Sequence, residues 1–78
     1  MNDNEILRSI GNALQTARVM KGVSKEELSE RLRIKVANIE RIESGSFSMS
    51  AKIMYEYCKA IDVSISIGGV QINNKSES

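Results

Sequence analysis

The chain has 78 residues, no histidine and a single cysteine, Cys58. Without histidine the commonest general acid and base near neutral pH is missing, and one thiol cannot close an intramolecular disulfide. Cys58 lies in a helical pattern beside Tyr57 and Ala60 and reads as a core or boundary thiol. A Gly-rich phosphate loop is also absent, as are the HExxH and GxSxG patterns. Glu26 and Glu27 remain as a nominal acid/base pair, but adjacent helical positions point about 100° apart and do not face each other. They read as helix-start acids complementing the dipole. Neither an enzyme, nor a metal site, nor a cofactor is therefore expected. No apolar run reaches the roughly 18 residues of a membrane span, and no apolar stretch follows an N-terminal basic cluster. The cytoplasm is the expected location, with no membrane partner. Lysine and arginine number 11 against 10 acids, a net charge of +1 that excludes a wholly basic nucleic-acid coat but not a local basic patch.

What the chain does contain is helical periodicity. Residues 1–5 form a polar start, and apolar positions then fall at Ile6, Ile10, Ala13, Leu14 and Ala17, one stripe of a 3.6-residue helix running to about Met20. Gly22 is a stop. Ser24 opens a second helix with Glu27 three residues on, the reciprocal capping box, and Leu28 and Leu32 supply its buried edge. A third helix spans about Lys35 to Ser44 and ends at Gly45. Ser50 caps a fourth, carrying Ile53, Met54, Tyr57, Cys58 and Ile61.

The period then changes. "VSISIGGVQIN" alternates apolar and polar residues around Gly68-Gly69, a two-residue turn suited to a hairpin. Ile65, Ile67, Val70 and Ile72 fall on one face in that register. A lone hairpin is marginal in water, so these four are expected to pack on the helices or on a second copy as a dimerisation element. A core this small also favours self-association. The expected division is residues 1–62 as the helical domain, 63–72 as a β appendage and 73–78 as a disordered tail.

The run "SKEELSERLRIKVANIERIESG" resembles the helix-turn-helix of the phage-repressor and Cro-like family, the xenobiotic-response-element type. Ser24, Leu28, Ile39, Ile42, Glu43 and Gly45 match the family pattern, and the resemblance extends from about Leu14 to Val63. It implies an all-α, lambda-repressor-like bundle of four to five helices, here followed by a short C-terminal β-strand or hairpin. Three positions depart from the pattern: Lys25 replaces the usual glutamine, Arg33 the turn glycine and Lys35 the serine or threonine that opens the recognition helix. A left-handed Arg33 would cost about 1 kcal/mol.

In that family the second helix of the motif lies in the major groove. The resemblance thus makes Lys35, Val36, Ala37, Asn38, Glu40 and Arg41 the base-facing residues, with Ser24, Lys25 and Lys35 on phosphate. Arg41 suits a bidentate contact to guanine, Val36 and Ala37 suit thymine methyls, and Glu40 suits a cytosine amine. The bland alternatives are that Arg41 and Lys35 are solvated cations and that Val36 belongs to the core. Glu43 is read as structural, paired with Arg18. From Arg18 to Arg41 there are seven basic residues against four acids.

The resemblance implies a sequence-specific regulator of double-stranded DNA, a dimeric repressor and in one version an antitoxin-like autorepressor with a toxin or other regulator as protein partner. The competing class is a protein-interaction module whose helix-turn-helix no longer reads DNA, for which the near-neutral charge, Glu40 and the loop "SGSFSMS" at 44–50, without lysine or arginine, speak. Salt separates them: phosphate contacts weaken steeply with added salt, apolar protein contacts do not.

Overall fold

A computed structural model of the chain describes residues 2–46, 50–67 and 70–72. Four helices form the bundle: α1 (Asp3–Met20), α2 (Lys25–Leu32), α3 (Val36–Ser44) and α4 (Ala51–Ala60). Two short strands follow, β1 (Ile65–Ile67) and β2 (Val70–Ile72), paired antiparallel with Ile65 opposite Ile72 and Ile67 opposite Val70. The 47–49 stretch, the Gly68-Gly69 turn and the 73–78 tail lie outside the described residues, as does the side-chain face expected of Ile65, Ile67, Val70 and Ile72.

Local chemistry sets each helix boundary. α1 begins earlier than the apolar pattern indicates, at Asp3, because Asn2 and Glu5 make a capping box. Asn2 Oδ1 accepts from the Glu5 amide at 2.8 Å and Glu5 Oε1 accepts from the Asn2 amide at 3.0 Å. At α2 only half of the expected box forms. Ser24 Oγ accepts from the Glu27 amide at 2.9 Å, but the Glu27 carboxylate turns outward to Arg31 at 2.9 Å. α4 is capped by Ser50, whose Oγ accepts from the Ile53 amide at 3.1 Å.

Every helix stops on a left-handed residue: Gly22 (φ 71°), Arg33 (φ 59°), Gly45 (φ 72°) and Asp62 (φ 61°). At α1, α3 and α4 the next amide reaches back to a carbonyl five residues earlier: Val23 to Arg18 at 3.1 Å, Ser46 to Arg41 at 3.0 Å, Val63 to Cys58 at 2.9 Å. This closes the orphan carbonyls of the last turn. Arg33 and Asp62 reach that conformation without glycine's freedom, and for arginine the backbone cost is about 1–2 kcal/mol.

The core is one cluster at the junction of all four helices. Leu28, Ile39, Ile42, Tyr57 and Ile61 are fully buried, and Leu14, Val23 and Cys58 nearly so. The predicted stripes are wider than what is buried: on α1 Ile6 is 40% exposed and Ala13 is exposed, while Leu32, Ile53 and Met54 are half-buried. The reason is that α1 packs chiefly on α3, so only a narrow strip of it needs to be apolar. That packing is close. A Cβ at Gly11 would sit 2.5 Å from the carbonyl oxygens of Ile42 and Glu43, and one at Gly45 would sit 2.6 Å from the Arg8 backbone. Glycine at both points lets the two helices touch backbone to backbone.

Candidate nucleic-acid interface

α3 is fixed from its inner side. Ile39 and Ile42 sit in the core, and Glu43 beside them is 6% exposed although charged. Its carboxylate meets the Arg18 guanidinium side-on: Nε donates to Oε2 at 2.8 Å and Nη2 to Oε1 at 3.2 Å. Arg18, 5% exposed, also donates from Nη1 to the Val23 carbonyl at 2.8 Å. The Tyr57 hydroxyl completes the group, donating to Glu43 Oε2 with the Leu14 carbonyl 3.2 Å away. One network thus ties the end of α1, the α1–α2 turn, α3 and α4.

Protonation follows from these contacts. The hydrogen bond to Glu43 raises the Arg18 pKa, holding the guanidinium charged against its own burial. Burial, then the neighbouring Glu43 carboxylate, pushes Tyr57 well above the usual phenol range. Burial also raises the Cys58 thiol. Burying a charge is costly unless it is paired and hydrogen-bonded, and both conditions are met here.

The outer side of α3 is open to solvent. Lys35, Ala37, Glu40, Arg41 and Ser44 are exposed, whereas Val36 and Asn38 are half-buried. Ala37, Glu40, Arg41 and Ser44 fall at i, i+3, i+4 and i+7, one stripe opposite Ile39 and Ile42. Val36 and Asn38 flank this exposed stripe. Among the described residues the Arg41 side chain makes one long contact, 3.4 Å from Nη1 to Asn38 Oδ1, and Ser44 Oγ donates to the Arg41 carbonyl at 3.2 Å.

Among the residues assigned to phosphate, Ser24 already accepts from its own helix, which leaves its hydroxyl proton free to donate. Lys25 is not free. Its Nζ lies 3.3 Å from Glu40 Oε2, so a residue assigned to phosphate and one assigned to a base are paired across α2 and α3. Both side chains are well exposed, and such a pair is worth at most about 0.2–1 kcal/mol. Water or an anion displaces it easily. Lys35 precedes α3 as its cap residue in extended conformation and makes no side-chain cap.

Lys35, Ala37, Asn38 and Arg41 come together along a shallow groove of about 720 Å³, which Arg33 and Ser29 also line. These last two escape the sequence reading. The signal for Arg33 was the departure from the turn glycine; Ser29 gave none. Tyr57 likewise reads as an apolar stripe residue, and nothing in helical periodicity reveals its hydroxyl contact to Glu43.

Comparison with known proteins gives one family. A model described as helix-turn-helix matches residues 14–67, which covers α2, α3, α4 and the first strand entire together with the C-terminal part of α1 from Leu14. No curated protein matches the chain in sequence.

Proposed function

Because the chain belongs to the phage-repressor and Cro-like helix-turn-helix family, whose members are DNA-binding transcription regulators, we propose that α3 is its recognition helix and lies in the major groove of a specific DNA site. The observation that carries this reading is the two-sidedness of α3. Its inner face is locked by Ile39, Ile42 and the Arg18–Glu43 pair, and its outer stripe holds Ala37, Glu40 and Arg41 exposed. Arg41, at the middle of that stripe, is the guanine reader; Ala37 packs on a thymine methyl; Glu40 accepts from a cytosine amine or repels other bases. Val36 and Asn38 contact the edges of the site. Ser24, Lys25 and Lys35 hold phosphate, with Lys25 leaving Glu40 to do so. No catalytic role is proposed.

One recognition helix buries too little to be selective. The protein acts as a homodimer, a repressor reading two half-sites about 34 Å apart, with β1 and β2 in residues 63–72 joining the copies through Ile65, Ile67, Val70 and Ile72. The antiparallel register supports this by setting Ile65 opposite Ile72 and Ile67 opposite Val70. Autorepression with a toxin or other regulator as protein partner, in the cytoplasm, is the version closest to the antitoxins of this family.

A second reading, a protein-interaction module, draws on the Lys25–Glu40 pair, which neutralises part of the face that would meet DNA. Selection from random duplex DNA with the full-length protein separates the two. The DNA reading expects enrichment of an inverted repeat whose binding weakens steeply with salt. A folded sample that enriches nothing would leave the interaction module as the account of the same surface.

A further inference from the structure

The cations of the helix-turn-helix are not equivalent. Arg18 is buried with Glu43, Lys25 is paired with Glu40, and Arg31 is held at both ends of its guanidinium, by Glu27 at 2.9 Å and the Ala60 carbonyl at 2.6 Å. Arg33 and Lys35 are exposed and make no ion pair among the described residues. With Arg41 they line the shallow groove at the α2–α3 turn, together with Ser29 and Asn38, and no carboxylate among the described residues lines it. Arg33 is also the residue that takes a left-handed backbone, φ 59° and ψ 41°, where glycine would fit without strain. The turn around it is fixed, because the Ile34 amide donates to the Ser29 carbonyl at 3.2 Å and Ser29 Oγ donates to the Ile34 carbonyl.

An exposed guanidinium on a fixed turn, with no ion pair among the described residues and in a groove that none of their carboxylates lines and that runs into the exposed stripe of α3, is arranged for an anion. We infer that Arg33 binds a DNA phosphate on the strand bordering the groove that α3 enters, with Lys35 beside it. This rests on the DNA-binding reading of α3 and adds to it a contact that compensates for the backbone strain. Arg33 sits on the turn and not on the recognition helix, so its contact anchors and orients α3 without reading sequence.

The test measures binding of fluorescent duplexes, one carrying the selected site and one scrambled, at about 50 and about 200 mM salt. Wild type, Arg33→Gly and Arg33→Lys are compared after thermal melts have shown each to be folded. Removing one phosphate contact lowers the log–log salt slope by about 0.9, so the affinity drop between those two salts becomes about 3.5-fold smaller, on both duplexes alike. Arg33→Lys, which keeps the charge, restores the slope. An unchanged slope in Arg33→Gly overturns the inference while leaving the DNA reading in place. Equal loss in the glycine and lysine variants also overturns it, by tracing the effect to the shape of the turn. Wild type that binds neither duplex overturns the DNA reading and this inference together.

Discussion

Glu43→Ala is the sharpest perturbation of the interior. The substitution removes the two hydrogen bonds from the Arg18 guanidinium to the carboxylate, at 2.8 and 3.2 Å, and strands a cation that is 5% exposed and still donates to the Val23 carbonyl. Breaking a buried pair from one side costs about 3–5 kcal/mol. Tyr57 adds less to the loss, because its hydroxyl still has the Leu14 carbonyl at 3.2 Å. Against this, a chain of 78 residues has roughly 4–12 kcal/mol of stability in all. The variant is therefore expected to lose at least a quarter of its stability and to melt at least ~12 °C lower, since each kcal/mol moves Tm by about 4–8 °C at this size. Chemical denaturation monitored by far-UV circular dichroism reads the difference. The double variant Arg18→Leu with Glu43→Leu removes both charges and is expected to be more stable than Glu43→Ala alone. A Glu43→Ala protein within about 1 kcal/mol of wild type, or a double variant worse than the single one, would refute the claim that this pair fastens α3.

Three further outcomes follow from particular contacts. Gly11→Ala should destabilise by about 1–3 kcal/mol in spite of alanine's better helix propensity, because the new methyl meets backbone oxygens at 2.5 Å that cannot swing away; a stabilised variant in thermal melts would contradict the close α1–α3 approach. Tyr57 and Cys58 both have raised pKa values in the folded protein, so the stability each contributes is full below its unfolded pKa, about 10 for tyrosine and about 8.5 for cysteine, and is lost as pH rises further. Melts across alkaline pH should show this fall, and Tyr57→Phe should flatten its upper part. Glu40→Gln frees Lys25 and removes an acid from the outer stripe, so it should raise affinity for scrambled duplex DNA by several-fold, as read by anisotropy. Unchanged affinity would place Glu40 and Lys25 away from the DNA.

Much of this fold is legible locally. Ser24, Gly45 and Ser50 mark boundaries because a cap or a stop is a short-range event, decided by one side chain or one φ angle. Ile39 and Ile42 declare the inner face of α3 by spacing alone, and with it the outer one. The start of α1 lies beyond the reach of the apolar stripe, although Asn2 and Glu5 spell the box. Glu27 shows the reverse, a correct spacing whose carboxylate found Arg31 instead of its own helix start.

The remaining features depend on which helix lies against which. Gly11 looks like a weak spot in a helical pattern and is in fact the contact that admits α3. Val23 is buried 8% exposed with no periodic neighbours to announce it. Tyr57 is apolar by pattern but serves through its hydroxyl, and the Lys25–Glu40 pair spans two helices whose relative placement no spacing rule gives. The site follows the same division. Exposure along α3 follows from its period, whereas the groove shared by Arg33, Lys35 and Arg41 needs the geometry of the turn.

The central claim is that the outer stripe of α3 reads bases, and Arg41 carries it. The most direct measurement is the binding of wild type and Arg41→Ala to the selected site and to every single-base variant of it, at fixed salt. The account predicts that Arg41→Ala stays folded, loses about 1–3 kcal/mol on the selected site, and no longer discriminates at one G·C position in each half-site. Equal losses on selected and scrambled DNA would make Arg41 a phosphate contact, and an unchanged preference at every position would contradict the assignment of α3 as the reading helix.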